Sequence, residues 1–128
     1  MSEFLLLFRG GDAKELQQSP EVWQAHMQKW MKWMGDLSSQ GKFVGAQPLK
    51  AEGRVVTGSS KTVTDGPFAE GKELVGGYLI CKADSYEEAV EISKGCPILE
   101  SERGVVEVRE IHEMNQDYSI KPMVSEVS

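Results

Sequence analysis

The sequence predicts a single α+β domain in the order β-α-β, hairpin, β-α-β, and three observations predict it. The chain has 128 residues and a mass of 14.2 kDa, which is the size of one domain. Short apolar runs bounded by glycine or proline alternate with two segments in which apolar residues recur at helical spacing. Hydrophobic residues make up 40% of the chain and mean hydropathy is -0.36, which excludes disorder and membrane spanning.

The first helix is predicted over residues 20–39. Ser19 suits a helix cap, and Pro20 fits the first helical position, where a backbone N–H would lack a partner. Apolar side chains then recur every three or four residues until Gly41 ends the pattern. That stripe consists of Trp23, Met27, Trp30, Met34 and Leu37, and we expect it to lie mainly in the core.

A second helix is predicted after Asp84 and Ser85. Ser85 and Glu88 have the spacing of a capping box, in which each residue bonds a free amide of the first turn. Gly95 and Pro97 then end the helix.

The remaining apolar segments predict strands. They are residues 3–9, 43–49, 74–81 and 105–111, with 54–57 and 61–64 forming a small hairpin around Gly58-Ser59-Ser60. The order is that of a ferredoxin-like βαββαβ fold with a hairpin insertion, in which two helices cover one face of an antiparallel sheet. We assign residues 1–113 to this domain and the more polar residues 114–128 to a C-terminal tail or arm.

Two helices cover only one face of a sheet, yet residues 4–8 and 74–80 supply apolar side chains to both faces. Large uncovered apolar patches are rare on monomers, and two-fold dimers are the commonest assembly. We therefore expect a homodimer whose sheets enclose a shared interior.

Charge and cysteine usage indicate the surroundings of the protein. The net charge of -6 repels phosphate backbones, so we expect no nucleic-acid partner. The N-terminus lacks the pattern of a signal peptide and no apolar stretch is long enough to span a membrane, so a cytoplasmic location is expected. Cys81 and Cys96 lack metal-ligand spacing and are predicted to be buried free thiols.

No phosphate-binding glycine loop, zinc signature or nucleophile elbow is present, so we expect no cofactor and no metal. The segment 65–73 begins with Asp65-Gly66-Pro67, which forces a turn. One interpretation is a purely structural turn. The other is a turn that presents Asp65, Glu70 and Lys72 at the mouth of a cavity, with Phe68 as its apolar wall.

His26 lies one position off the apolar stripe of the first helix. It suits a partly buried residue with one hydrogen bond, or a general acid/base oriented by a carboxylate such as Asp65 or Glu70. In the second interpretation Arg9 or Lys72 would hold a substrate carboxylate. Cys96 has only Lys94 nearby as a basic residue, which does not favour a catalytic thiol.

Residues 64–80 read TDGPFAEGKELVGGYLI, and this segment closely resembles the signature of the DGPF group of YCII-related proteins. The apolar strand before a long helix, Cys96-Pro97 and the segment GVVEVR at 104–109 also fit that family, over roughly residues 3–112. The resemblance implies a dimeric α/β barrel, in which ferredoxin-like units pair through their sheets. It places this chain in a superfamily that includes cofactor-free lyases, isomerases and monooxygenases acting on cyclic or aromatic compounds.

In YCII proteins proper, a histidine of the first helix pairs with an aspartate before a proline at the end of the second helix. His26 matches the histidine, but Cys96 occupies the position of the aspartate, so the pair is incomplete unless Asp65 supplies the carboxylate. Two hypotheses follow. The chain is a cofactor-free lyase or isomerase acting on a small cyclic or aromatic organic acid with His26 and Asp65, or it is a non-catalytic dimeric module that binds a small ligand or serves in regulation.

Overall fold

The computed structural model of the chain describes residues 1–10, 19–66 and 74–113. Within these ranges the chain forms six strands, two α-helices and a short 3₁₀ helix. They are β1 Ser2–Arg9, α1 Pro20–Ser39, β2 Phe43–Pro48, β3 Gly53–Thr57, β4 Thr62–Gly66, β5 Val75–Ala83, α2 Tyr86–Lys94, the 3₁₀ helix Pro97–Glu100 and β6 Val105–Glu110. The predicted elements are confirmed, and the 3₁₀ helix is an addition to them.

Four of the strands form one antiparallel sheet in the order β2-β5-β1-β6. The central strand β1 places Leu6 opposite Leu79 of β5 on one side and opposite Val108 of β6 on the other. Because the two strands that follow helices lie at the sheet edges, this order confirms the ferredoxin-like fold. Among the described strands, β3 and β4 pair only with each other, as the predicted hairpin insertion.

The two faces of the sheet differ in burial because successive side chains of a strand point to opposite sides. On β1, Phe4, Leu6 and Phe8 are buried, whereas Leu5 and Leu7 are half-buried. The buried side chains form one core with α1 and α2, whose buried members are Phe4, Leu6, Phe8, Leu37, Leu79, Cys81, Ala83, Ala89 and Cys96. We call the opposite side, which carries Leu5, Leu7, Tyr78 and Ile80, the open face.

Both helices begin at the predicted serine caps. The hydroxyl of Ser19 accepts a hydrogen bond from the amide of Val22 at 3.4 Å, and that of Ser85 accepts one from Glu88 at 3.1 Å. The predicted capping box at Ser85 is half formed, because the carboxylate of Glu88 lies 3.2 Å from the ammonium of Lys42 instead. A charged partner holds a carboxylate more strongly than a neutral amide does.

Trp33 connects the two helices. Its indole N–H donates to the carbonyl oxygen of Ile92 at 3.1 Å, and its ring lies over Gly95, where an added Cβ would come within 3.2 Å. Trp33 therefore packs between the helices.

Cys81 and Cys96 are free and buried, as predicted. In the part of the chain that the structure describes, no helix is both long and apolar enough to cross a membrane. The predicted tail, residues 114–128, lies outside the described residues.

Candidate functional site

A cavity of about 440 Å³ lies between α1, the 3₁₀ helix and the adjacent ends of β1, β2 and β5. This volume lies within the range of small-molecule sites. Most of the lining is apolar, contributed by Phe8, Trp23, Met27, Trp30, Met34, Ala46, Pro48, Pro97 and Ile98. The lining also includes the polar residues His26, Gln47, Tyr78, Glu100 and Ser101.

The cavity arises because only the C-terminal part of α1 packs closely on the sheet. Leu37, near the end of the helix, is 5% exposed, whereas Trp23 and Met27 are each 38% exposed. A 20-residue helix is about 30 Å long, and β2, which it packs against, spans only about 20 Å. The first turns of α1 therefore stand away from the sheet and leave their apolar side chains as a cavity wall.

Glycines let the backbone elements around the cavity approach each other closely. At Gly77 an added Cβ would lie 3.0 Å from the carbonyl oxygen of Gln47, so β2 and β5 meet here without side chains between them. Gly10 has a φ of +75°, and an added Cβ there would collide with the carbonyl oxygen of Arg103. Gly104 likewise lies directly against the carbonyl of Ile98, which fixes the 3₁₀ helix at the cavity.

His26 is the titratable side chain on α1 that lines the cavity. Its Nε2 accepts a hydrogen bond from the indole N–H of Trp30 at 2.8 Å. The rings of Trp23 and Trp30 lie on either side, with centroids 6.2 and 6.1 Å from that of the imidazole. The imidazole is half-buried in this aromatic setting.

Glu100 is the carboxylate among the lining residues. It forms an ion pair with Lys29 of α1, with Nζ and Oε1 2.8 Å apart, and both side chains are about half exposed. This pair joins α1 to the 3₁₀ helix beside the cavity. Among the described residues, none of the ion pairs includes His26.

The structure places Asp65 and Arg9 away from the cavity lining. Asp65 lies on the hairpin, where its carboxylate is 3.3 Å from the guanidinium of Arg54 and both are largely exposed. Arg9 lies on the open face and pairs with Glu107 at 3.1 Å, while its Nε has no hydrogen-bond partner in the described part of the chain. The roles predicted for Asp65 and Arg9 stay predictions, and their ion pairs are the observed contacts.

The other predicted site residues, Phe68, Glu70 and Lys72, lie outside the described residues. Their predicted positions at a cavity mouth therefore stay predictions.

Cys96 lies in the core, and the next residue, Pro97, lines the cavity. Burial raises the pKa of its thiol to about 12, with a backbone hydrogen bond opposing the shift, and burial raises that of Cys81 to about 11. Thiols held protonated in this way do not act as nucleophiles. This agrees with the expectation that Cys96 is structural.

Several lining residues were not identified as site residues from the sequence. Trp23, Met27 and Trp30 follow a helical stripe that predicts core, and only the separation of α1 from the sheet turns them into a cavity wall. Gln47 and Ile98 carry no recognisable signal, because they enter the lining through the pairing of β2 with β5 and the position of the 3₁₀ helix.

The model of the family described as YCII-related domain matches residues 3–115. Among solved structures, 5-chloro-2-hydroxyhydroquinone dehydrochlorinase (TftG) from Burkholderia phenoliruptrix AC1100, in complex with 2,5-dihydroxybenzoquinone, is similar with a TM-score of 0.47 and 16% sequence identity. That alignment covers 91% of this chain and 99% of the other. No curated protein matches the chain significantly. The matched family segment contains the cavity and every described element from Glu3 onwards.

Proposed function

The chain belongs to the YCII-related family, and on this basis we propose that it is a cofactor-free lyase or isomerase that acts on a small cyclic or aromatic organic acid in its cavity. The observation that carries this proposal is a mostly apolar cavity of about 440 Å³ with one imidazole in its wall. Apolar and aromatic walls favour a ring, and a few polar groups orient it.

In this proposal His26 exchanges a proton with the substrate, for which the hydrogen bond from Trp30 to Nε2 has to open. Imidazole is the side chain best suited to acid/base chemistry near neutral pH. It lines the cavity between two indoles, so a substrate ring stacked there would bring its functional groups beside the imidazole. Trp23 and Trp30 supply the apolar contact area.

A second candidate function is binding without turnover, and one observation favours it. A catalytic imidazole is usually oriented by a carboxylate, but in the described part of the chain His26 is bonded to Trp30 and Asp65 is paired with Arg54. A dimeric binding module that serves in regulation would need the same cavity and no such carboxylate.

The proposal is tested by ligand screening followed by a turnover assay. A panel of aromatic acids and lactones is added to the full chain, and unfolding is followed by thermal shift. A ligand present at a hundred times its dissociation constant stabilises the folded state by about 2.7 kcal/mol. Each ligand found is then incubated with the protein, and its conversion is followed by proton NMR, with His26→Gln as the variant that keeps the cavity but not the imidazole.

Two variants of α1 show whether a ligand binds in the cavity. We expect Met27→Trp to fill the cavity and abolish the thermal shift, because Met27 lines it and is partly exposed. Met31→Trp, one turn further along at 64% exposure and outside the lining, is the matched control and should keep the shift. Binding with conversion that His26→Gln abolishes supports the enzyme. Binding with no conversion of any ligand supports the second candidate. A thermal shift that persists in both Met27→Trp and Met31→Trp contradicts both candidate functions.

We also propose that the protein is a homodimer whose subunits pair through their open faces. Leu5, Leu7, Tyr78 and Ile80 form the centre of this face, and the described helices both lie on the other side. The ion pair of Arg9 with Glu107 lies beside these apolar side chains. An apolar centre with a charged margin is the usual composition of a protein interface.

A further inference from the structure

Trp30 and His26 are neighbours on one face of α1 because they are four positions apart. The indole nitrogen lies 2.8 Å from Nε2 of the imidazole, and the rings meet edge to face at 77°. An indole N–H can only donate a hydrogen bond, so Nε2 is the acceptor and carries a lone pair. The proton of the neutral imidazole is therefore on Nδ1.

The indole of Trp30 is itself held in place. Its ring packs edge to face against Phe8, with centroids 5.1 Å apart, and against Trp33 at 5.8 Å. Trp33 in turn is bonded to the carbonyl oxygen of Ile92 in α2. The donor that selects the imidazole tautomer is thus fixed by the core and by the second helix.

The other imidazole nitrogen, Nδ1, makes no hydrogen bond with any described residue, although the side chain lines the cavity. In most sites that use histidine, a carboxylate or carbonyl oxygen accepts the Nδ1 proton and fixes the tautomer. Here the indole fixes the tautomer from the Nε2 side. The donor left for a ligand is the Nδ1–H group.

We propose that Trp30 is a positioning residue that holds His26 as the Nδ1–H tautomer, so that the cavity selects aromatic ligands carrying an anionic oxygen, such as a carboxylate. The ligand class rests on the proposed function, whereas the tautomer does not. An oxygen bearing negative charge accepts the Nδ1–H bond more strongly than a neutral group does. A ligand offering only hydrogen-bond donors meets no acceptor at this position of His26.

The tautomer is read directly by nitrogen NMR on the uniformly ¹⁵N-labelled full chain at about pH 8.5, where histidines are ordinarily neutral. The chain has only two histidines, and His112→Gln assigns their signals. We expect His26 to show a protonated Nδ1 and an unprotonated Nε2. In Trp30→Phe, which keeps a ring but removes the donor, we expect the Nε2–H tautomer that free histidine prefers in water.

Trp23→Phe is the matched control, because it removes an indole of the same helix whose ring also lies beside His26 but which is not the hydrogen-bond donor to Nε2. It should leave the tautomer unchanged. A wild-type His26 with its proton on Nε2, or an unchanged tautomer in Trp30→Phe, overturns the inference. The wild-type spectrum alone decides the first of these, so the test does not depend on the variant folding.

The ligand class is tested by thermal shift with benzoate and benzylamine, which share a ring and differ in the oxygen acceptor. We expect benzoate alone to stabilise the wild type, and Trp30→Phe to bind it roughly tenfold more weakly than Trp23→Phe, which also loses an indole from the cavity wall but keeps the donor to His26. Preference for benzylamine, or equal benzoate affinity in both variants, overturns the selectivity and leaves the cavity's function standing. Failure of every aromatic probe in the wild type, with the Nδ1–H tautomer observed, contradicts the proposed function instead.

Discussion

Single residues in this protein show how burial changes chemistry. Cys96 lies in the core, where burial raises the pKa of its thiol to about 12. Pro97, the next residue, lines the cavity, but the thiol of Cys96 is not part of the lining. In the proposed function the site relies on His26 and its indole partner, and the cysteine contributes packing.

The buried thiols make a prediction about stability at alkaline pH. The pKa values of Cys81 and Cys96 are raised from 9.0 to about 11 and about 12, so above pH 9 the unfolded chain loses thiol protons that the folded chain keeps. Because the unfolded state then binds fewer protons, the free energy of unfolding should fall as pH rises from about 9 towards 11. Urea unfolding between pH 8 and 10.5 measures this slope.

Cys96→Ala provides the control for the thiol prediction. The variant should be less stable at pH 8 because it leaves a small cavity, but its slope above pH 9 should be shallower. An equal slope in the variant and the wild type would mean that other groups cause the alkaline fall.

At the scale of elements, the helices differ in how firmly they are tied to the sheet. The short helix α2 buries Ala89 and Ser93 and begins at a half-buried cap. The long helix α1 buries only Leu37 fully, and its first turns stand free beside the cavity. The looser helix is thus the one that carries His26.

This difference predicts unequal effects of removing the two serine caps. Ser85→Ala should reduce the free energy of unfolding by about 1 kcal/mol, because the hydrogen bond to the amide of Glu88 is short and half-buried. Ser19→Ala should cost less, since its 3.4 Å bond is exposed and Pro20 already favours the first helical turn. Urea unfolding of both variants measures the difference, and a larger loss from Ser19→Ala would contradict this view of α1.

For the whole molecule, the open face is the surface through which the proposed dimer would form. A four-stranded sheet with helices on one side leaves Leu5, Leu7, Tyr78 and Ile80 on the other. Pairing of two such faces would remove these side chains from water in both subunits. It would also place the margin formed by Arg9 and Glu107 at the edge of the interface.

The proposed dimer predicts a mass in light scattering of twice the 14.2 kDa of one chain at micromolar concentration. Leu7→Glu should shift the mass towards that of one chain, because it places a carboxylate in the apolar centre and opposite Glu107 on the neighbouring strand. Met31→Glu, on an exposed turn of α1, should leave the mass unchanged. A wild-type mass of 14.2 kDa would exclude the dimer without reference to either variant.

Much of the fold could be predicted because its signals are local. The serine caps, the proline at the start of α1, the glycine at the end of each helical pattern and the apolar strand runs act over a few residues. The order of elements then leaves few ways to form an antiparallel sheet. The half-formed capping box at Ser85 differs from prediction because Lys42, remote in sequence, attracts the carboxylate of Glu88.

The elements, their order, the free thiols and the choice of His26 as the candidate acid/base all follow from the amino-acid sequence. The packing of the elements adds that His26 bonds to Trp30, that Asp65 pairs with Arg54, and that Trp23 and Met27 line a cavity. The two kinds of feature differ because the interactions behind them act over different ranges along the chain. Helix and strand signals act between residues a few positions apart, whereas a cavity depends on the angle and distance between elements that are remote in sequence.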